Sequence, residues 1–296
     1  MPDPLGKLAP AQRALLDTWL PGATVIKDHS WGIVETTVLE LVHDDRRLIL
    51  KAGGATDHHI ARELRAHREW LTPWTDRGRA PSLVHGDAEA KLLVTTYLPG
   101  ELVTAPSAGV FRQAGELLAL LHSRPCGADD YERRENAKCL ALLDGPHRVD
   151  RATERRLRTL IAGWPAAAEP VVPTHGDWQP RNWLVHEGVV SVIDFGRAAL
   201  RPAYTDLSRL QAQDFRDDPT LEKAFFEGYG SDPRTAGGWQ RGRLREAIGT
   251  VCWAFAHGEE AFEAQGHRMI AESLAEDFPR MCQPADPPGP SQSRRS

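Results

Sequence analysis

The chain of 296 residues is poor in cysteine, in long apolar runs and in net charge, and each shortage excludes a class of protein. Its 4 cysteines fall in no CxxC or CxxH spacing, which argues against a zinc site and a disulfide framework. No run of about eighteen apolar residues occurs, so we expect no membrane span. The formal net charge of -5 gives little electrostatic reason to bind nucleic acid. The N-terminal segment lacks the order of a signal peptide, so we expect a cytoplasmic protein.

Strand patterns dominate the first hundred residues, and helical patterns follow. Period-two runs predict strands at 23–26, 32–42, 46–52 and 91–98, with one helix at 8–20 and another that Thr56 would cap. Later periodicity predicts helices at 109–123, 131–143, 150–164, 206–215, 219–228 and two within 238–281. A short hairpin at 183–185 and 189–193 interrupts them, and the proline-rich residues 283–296 are predicted to be a disordered tail.

The tripeptide His-Gly-Asp occurs twice, in VHGD at residues 84–87 and in THGDWQPRN at residues 174–182. Only the second copy has partners at a regular distance. Asn182 follows Asp177 by five residues, and Asp194, in VIDFG, follows it by seventeen. The first copy, which ends at Asp87, is predicted to be a turn between strands. The spacing therefore singles out the second copy as the candidate site.

A loop with an acid and an amide, then a hairpin, then a second acid can place oxygen ligands around one phosphoryl group. Mg²⁺ prefers hard oxygen donors, usually one or two carboxylates with substrate phosphates. Asp194 and the amide oxygen of Asn182 meet that need. Asp177 is then left to orient an acceptor hydroxyl and to accept its proton.

Phosphoryl transfer also needs positive charge on the phosphates of the nucleotide. Lys51 ends the apolar run in RLILKAGG, and Glu63 lies on the predicted helix twelve residues later, where it could hold the ammonium in place. Glu69 on the same helix is an alternative partner. Ser30 and neighbouring backbone amides, between two predicted strands, could cover phosphates.

The order LILK, RELRAHREWL, YLPG, LLALLH, HGDWQPRN, IDFG and PAYTDLSRL resembles the aminoglycoside phosphotransferase family, which is related to choline kinases and protein kinases. The resemblance implies an α+β, bilobal, protein-kinase-like fold. A small, mainly antiparallel β lobe with one key helix would occupy residues 1–98, and a larger, mainly helical lobe would occupy residues 99–282.

The resemblance also implies the parts that the matching residues play in phosphoryl transfer from ATP, with GTP as a possible donor. Asp177 would be the catalytic base. Asn182 and Asp194 would hold Mg²⁺. Lys51 would contact the nucleotide phosphates, and Glu63 would hold the Lys51 ammonium in position.

Residues around these groups also match the family pattern. Thr96 and Leu98 would offer backbone hydrogen bonds to the nucleotide base, while His175 and Asp206 would brace the catalytic loop without reacting. The phosphate-covering loop departs from the protein-kinase form, because Gly32 stands where several glycines are expected.

The acceptor stays open among three alternatives: an antibiotic, a metabolite such as a sugar or amino alcohol, or none, in a nucleotide-binding pseudokinase. An antibiotic acceptor, and hence a role in antibiotic resistance, is the leading interpretation. Residues 206–232 hold seven acidic and three basic side chains and suit a polycationic aminoglycoside. The basic segment 133–158 suits a nucleoside or peptide antibiotic instead. The protein is expected to be a monomer or a homodimer.

Overall fold

The computed structural model of the chain describes residues 4–30, 36–234 and 236–275. They fall into two units: the first is the chain up to Ala128 together with Pro170–Asp232, and the second is Asp129–Glu169 with the chain from Pro233 onward. Gly32 and the predicted tail lie outside the described residues. The predicted lobe boundary after Leu98 stays a prediction.

Both the antiparallel strands near the N-terminus and the later helices are present, as the α+β prediction requires. The strands are β1 Thr24–Asp28, β2 Thr37–His43, β3 Arg46–Ala52, β4 Leu83–Asp87, β5 Leu92–Thr96, β6 Glu101–Leu102, β7 Ala128–Asp129, β8 Glu169–Pro170, β9 Val172–Thr174, β10 Trp183–His186, β11 Val189–Val192 and β12 Ala199–Arg201. The α-helices are α1 Pro10–Trp19, α2 His59–Glu69, α3 Thr72–Thr75, α4 Ala108–His122, α5 Tyr131–Asp144, α6 Arg151–Ala162, α7 Ser208–Ala212, α8 Asp214–Asp217, α9 Pro219–Tyr229, α10 Ala236–His257 and α11 Glu260–Ala275.

The first five strands form one antiparallel sheet in the order β1-β2-β3-β5-β4. Alternate residues of a strand point to opposite faces. Leu48 and Leu50 of β3 therefore join the core that contains Leu16 of α1. Lys51 lies on the other face, next to its register partner Leu93, which packs against α2. The pleat of β3 thus directs Lys51 toward the helix that carries Glu63.

Two tight hairpins fix strand register in the first unit. Asp44 and Asp45 connect β2 to β3, and both have positive φ, at 49° and 59°. Glu187 and Gly188 connect β10 to β11 in the same way, with φ of 49° and 78°. Positive φ at both central residues is typical of the turn whose twist matches that of the paired strands. The predicted hairpin before Asp194 is therefore confirmed.

Three details of the predicted elements are wrong. VHGD is not a turn, because it lies in β4, where Gly86 leaves room for the side chain of Leu64 from α2. The start of α2 is capped by Asp57 rather than Thr56, since the Asp57 carboxylate accepts two backbone N–H groups there. The predicted helix at 206–215 breaks into short turns because the backbone of Gln213 leaves the helical region, with φ of -126° and ψ of -92°.

Helices α4 and α9 of the first unit pack at unusually close range. A Cβ atom at Gly115 of α4 would overlap the carbonyl oxygen of Phe225, and one at Gly228 of α9 would overlap that of Arg112. The two glycines therefore allow each helix backbone to touch the other. This packing positions α4, whose last residue, His122, reaches the functional site.

The second unit has its own polar core. The carboxylate of Glu132 on α5 is 1% exposed and accepts hydrogen bonds from Arg241 and Arg245 of α10. Two guanidinium groups satisfy one buried carboxylate, as burial of a charge requires. Within the part of the chain that the structure describes, no helix combines the length and apolarity needed to cross a bilayer.

Substitution of Gly115 tests the close packing of α4 and α9. Gly115→Ala should destabilise the protein by about 1–3 kcal/mol because the added methyl group meets backbone atoms that cannot rotate away. Gly109→Ala on the same helix is the matched control, since nothing lies within 4 Å of its added methyl group. Urea denaturation should show a loss only for Gly115→Ala, and equal effects of the two variants would contradict the packing argument.

Candidate active site

The candidate site is built on the loop of residues 175–182, which joins β9 to β10. A 3₁₀ turn at Pro180–Asn182 ends this loop. The backbone N–H of Ile193 donates to the carbonyl oxygen of Asn182 at 3.0 Å. Asp194 therefore follows the hairpin at the level of the loop, with a left-handed φ of 67°. Such a conformation is uncommon outside glycine and is tolerated best by Asp and Asn.

The buried carboxylate of Asp206 holds the start of this loop. It accepts the backbone N–H groups of His175 at 2.8 Å and of Gly176 at 2.6 Å. His122 lies 3.1 Å away on its other side and also contacts the hydroxyl of Tyr229 at 2.8 Å. His122 is therefore a hydrogen-bonded histidine of the core.

Gly176 is required by the path of the loop. Its φ is 79°, and a Cβ atom there would overlap the carbonyl oxygen of Arg197 and a guanidinium nitrogen of Arg201. Below the loop, Trp178 and Trp183 are 1% and 0% exposed and pack with ring centroids 5.4 Å apart. Both indoles therefore support the loop from the core.

Four side chains contact the carboxylate of Asp177, three through hydrogen bonds and one through an ion pair. Gln179 donates to Oδ1 at 2.6 Å, and the guanidinium of Arg209 forms an ion pair with the same oxygen at 2.7 Å. Arg181 and Asn182 donate to Oδ2 at 2.9 and 3.2 Å. Burial alone would raise the pKa of Asp177, but the nearby charges of Arg209, Arg181 and Arg197 outweigh it and hold that pKa below 3.8. Asp177 is therefore an ionised and firmly held carboxylate at neutral pH.

Lys51 lies between two carboxylates. Its ammonium is 2.9 Å from Oε1 of Glu63 and 3.1 Å from Oδ1 of Asp194. Glu69, the other candidate partner, is exposed on the same helix. Burial would lower the pKa of Lys51, but Asp194 and Glu63 raise it above its usual value. The same ion pair with Lys51 is the main cause that lowers the pKa of Asp194 to about 2. The structure thus brings Lys51, Glu63 and Asp194 together, with all three charged groups compensated.

The side chains of Asn182 and Asp194 fit a Mg²⁺ ion. Asn182 uses its amide N–H groups on Asp177, and no described residue donates to its amide oxygen. Asp194 keeps a side chain that is 52% exposed while one oxygen contacts Lys51. The described residues contain no cluster of three or more His, Cys, Asp or Glu side chains placed to hold a metal. A Mg²⁺ site made of one carboxylate, one amide and nucleotide phosphates needs no such cluster.

The residues predicted to contact the nucleotide follow or end strands of the sheet that carries Lys51: Ser30 comes after β1, Thr96 ends β5, and Leu98 lies two residues later. The hydroxyl of Ser30 accepts the backbone N–H of Val38 at 3.1 Å, and Val38 is the register partner of Lys51. Thr96 ends β5, and its backbone N–H already donates to the carbonyl oxygen of Ser82. In the described part of the chain, neither backbone group of Leu98 makes a hydrogen bond. The assigned roles of Ser30, Thr96 and Leu98 stay predictions.

Two arginines at the site were not assigned from the sequence. Arg181 lies inside the quoted loop, four residues after Asp177, and this spacing in a short turn was a usable signal. Arg209 lies on α7 and has no local signal, since only the fold brings it to Asp177. His59 was also missed: its Nδ1 lies 2.9 Å from the carbonyl oxygen of Gly196, which ties α2 to the loop after Asp194.

Comparison with known proteins gives one family and one partial relative. The model of the family described as "Phosphotransferase enzyme family" matches residues 25–245. A homoserine kinase of Gluconobacter oxydans is 31% identical over 172 residues, which are 52% of this chain and 54% of that protein. The chain therefore spans about half the length of this curated relative.

Solved structures with the same fold are far less similar in sequence. The choline kinase LicA from Streptococcus pneumoniae is 16% identical with a TM-score of 0.62, covering 89% of this chain and 97% of that one. The aminoglycoside phosphotransferase APH(4)-Ia, in a complex with ADP and hygromycin B, is 12% identical with a TM-score of 0.64, covering 90% and 98%. The macrolide 2'-phosphotransferase MphH from Brachybacterium faecium is 20% identical with a TM-score of 0.56, covering 87% and 97%.

The bracing of the loop by Asp206 predicts a pH-dependent loss of stability. Burial would raise the pKa of Asp206, but hydrogen bonds from His122 and the backbone hold it below 3.8. The ionised carboxylate therefore stabilises the fold above about pH 4, and this contribution is lost as the pH falls further. Asp206→Asn should cost about 3 kcal/mol at pH 7.

Urea denaturation of both proteins between pH 7.5 and pH 3.5 measures this effect. The difference between wild type and Asp206→Asn should shrink below about pH 4, because the unfolded wild-type chain binds a proton at this carboxyl there while the folded carboxylate stays ionised. Asp217→Asn, at a side chain that is 74% exposed, is the control and should shift stability by no more than about 0.5 kcal/mol. A difference that stays constant over the whole pH range would contradict the assignment.

Proposed function

The chain belongs to the phosphotransferase enzyme family. We propose that it is a kinase that transfers the γ-phosphoryl group of ATP to a hydroxyl of a small molecule. The observation that carries the details is the contact of Lys51 with both Glu63 and Asp194. A lysine held in this way presents a fixed positive charge beside a carboxylate that suits a metal. Such positioning and charge neutralisation supply most of the catalysis in phosphoryl transfer.

The reaction needs one proton transfer. The acceptor oxygen attacks the γ-phosphorus, its proton passes to the carboxylate of Asp177, and the bond from the γ-phosphorus to the β,γ-bridging oxygen breaks. ADP leaves with the electron pair of that bond. Because Asp177 has a low pKa, it accepts the proton as the new bond forms rather than before it.

The phosphates are handled by groups on the other side of the site. Lys51 neutralises charge on the α- and β-phosphates, and Ser30 with its neighbouring backbone covers them. Leu98, with two open backbone groups, binds the edge of the nucleotide base. Mg²⁺ held by Asn182 and Asp194 would supply further charge neutralisation between the phosphates.

Two classes of acceptor remain in the proposal. An antibiotic acceptor agrees with the fold shared with aminoglycoside and macrolide phosphotransferases. A hydroxylated metabolite is the second candidate, and the 31% identity to a homoserine kinase favours it. Three acids of the segment 206–232 are already used inside the fold: Asp206 braces the loop, Asp218 caps α9, and Glu227 pairs with Arg112. That usage weakens the case for a polycationic aminoglycoside.

A coupled assay of ADP release tests the proposal. The purified protein should be screened with ATP and Mg²⁺ against aminoglycoside, nucleoside, peptide and macrolide antibiotics, and against sugars, amino alcohols and hydroxy amino acids. At least one acceptor should raise ADP release well above the acceptor-free rate. ATP binding without any acceptor-dependent turnover would favour a nucleotide-binding pseudokinase instead.

Removal of the Asp194 carboxylate tests the metal site. Asp194→Ala should abolish turnover and should also remove the Mg²⁺ dependence of nucleotide binding, because the single carboxylate of the proposed donor set is lost. Isothermal titration with ATP, with and without Mg²⁺, measures the second effect independently of turnover. Unchanged activity would exclude Asp194 from the site.

The two His-Gly-Asp copies provide a matched pair for the catalytic base. Asp177→Asn keeps the side-chain shape but removes the carboxylate, and it should lower kcat by about 10²- to 10⁴-fold with little change in ATP affinity. Asp87→Asn should leave kcat within a few-fold, because among the described residues the Asp87 carboxylate accepts only the turn N–H of Ala90, and an asparagine can accept it too. Equal effects of the two substitutions on folded protein would contradict the role of Asp177.

A further inference from the structure

Four side chains cover the carboxylate of Asp177, which is 5% exposed. An ionised carboxylate offers about four lone-pair positions. Gln179, Arg181 and Asn182 donate hydrogen bonds to this carboxylate, and Arg209 forms an ion pair with it, so each oxygen has two nitrogen contacts. An acceptor hydroxyl that donates to Asp177 must therefore displace one of them.

Arg181 is the donor that can leave most easily. Its side chain is 52% exposed, whereas that of Arg209 is 19% exposed, and Gln179 and Asn182 are buried at 5% each. A buried amide that moved would leave its own polar atoms without partners, which is costly. The guanidinium of Arg181 can instead swing into solvent, or onto a ligand, at small cost.

The surroundings of the loop are rich in positive charge. Arg201 donates to the hydroxyl of Thr174 at 3.1 Å and lies against Gly176. Arg62 on α2 has a lowered pKa because of burial first and then because of the charges of Arg201, Arg65 and Arg197. Guanidinium groups that repel one another at the site would be stabilised by an anion. A polycationic acceptor would meet the opposite effect.

We infer that the acceptor carries an anionic group, a carboxylate or a phosphate, within a few bonds of its reacting hydroxyl, and that this group draws Arg181 away from Asp177. The inference rests on the proposed function, since it concerns the acceptor of that reaction. The guanidinium of Arg181 then pairs with the anion of the acceptor, and the acceptor hydroxyl donates a hydrogen bond to the carboxylate oxygen of Asp177 that Arg181 has left. The enzyme thus frees its base only when an acceptor of the right charge is bound, while Arg209 keeps the carboxylate ionised.

Pairs of acceptors that differ only in the anion test this inference. The ADP-release assay compares L-homoserine with 3-aminopropan-1-ol, L-serine with ethanolamine, and glycerol 3-phosphate with glycerol, with hygromycin B as a cationic acceptor. The anionic member should be preferred in kcat/KM by about 10- to 100-fold in at least one pair, as expected for charge-assisted hydrogen bonds. The pair that responds distinguishes a carboxylate from a phosphate.

Arg181 variants separate recognition from a structural role. Arg181→Gln should reduce the anionic preference to about one, because the anionic member loses its guanidinium partner and the neutral member no longer has to displace it from Asp177, and Arg181→Lys should retain part of the preference. Arg112→Gln, at a surface pair with Glu227, is the control and should keep the full preference. ATP affinity of each variant checks the fold.

The outcomes distinguish the inference from the proposed function. Wild-type protein that prefers the neutral or cationic acceptors would overturn the inference and leave the kinase assignment standing. An anionic preference that survives in Arg181→Gln would overturn the role of Arg181. Absence of phosphoryl transfer to every acceptor, with ATP bound, would overturn the proposed function and the inference with it.

Discussion

The buried carboxylate of Asp206 is the interaction on which the candidate site depends. It accepts two consecutive backbone N–H groups, of His175 and Gly176, and is held from behind by His122 of α4. These bonds fix the left-handed turn at Gly176, which in turn aims the carboxylate of Asp177. Helix α4 is itself positioned by its glycine contact with α9. The packing of α4 against α9 therefore helps to fix the geometry of the loop of residues 175–182, through His122 and Asp206.

Separate cations keep the carboxylates of the site ionised. Lys51 compensates Glu63 and Asp194, and arginines compensate Asp177. Glu63 and Asp194 share Lys51, whereas Asp177 has separate arginine partners. Because Asp177 and Asp194 do not compete for one cation, the proposed metal ligand and the proposed base can be ionised together. The charges also explain why α2 must lie against β3, since Glu63 reaches Lys51 only from that face.

The local parts of this arrangement could be predicted, because they depend on spacing and period. The pleat of β3, the hairpin before Asp194 and the pairing of Lys51 with α2 follow from short stretches of sequence. The set of side chains that contact Asp177 could not be predicted in full. Arg209 lies on α7, and its position depends on how the short turns after Asp206 pack. VHGD was misassigned for a similar reason: Gly86 serves the contact with Leu64 of α2, not a turn. Contacts that depend on tertiary packing produce no periodic pattern in the sequence from which they could be predicted.

The central claim is that a phosphoryl group moves from ATP to a hydroxyl. Phosphorus NMR of a reaction with ATP, Mg²⁺ and the best acceptor tests it most directly, because it identifies the product as well as the loss of ATP. The account predicts a new phosphomonoester signal that grows in step with ADP and is absent without acceptor. ADP formed together with inorganic phosphate alone would mean that water is the acceptor, and would contradict the account.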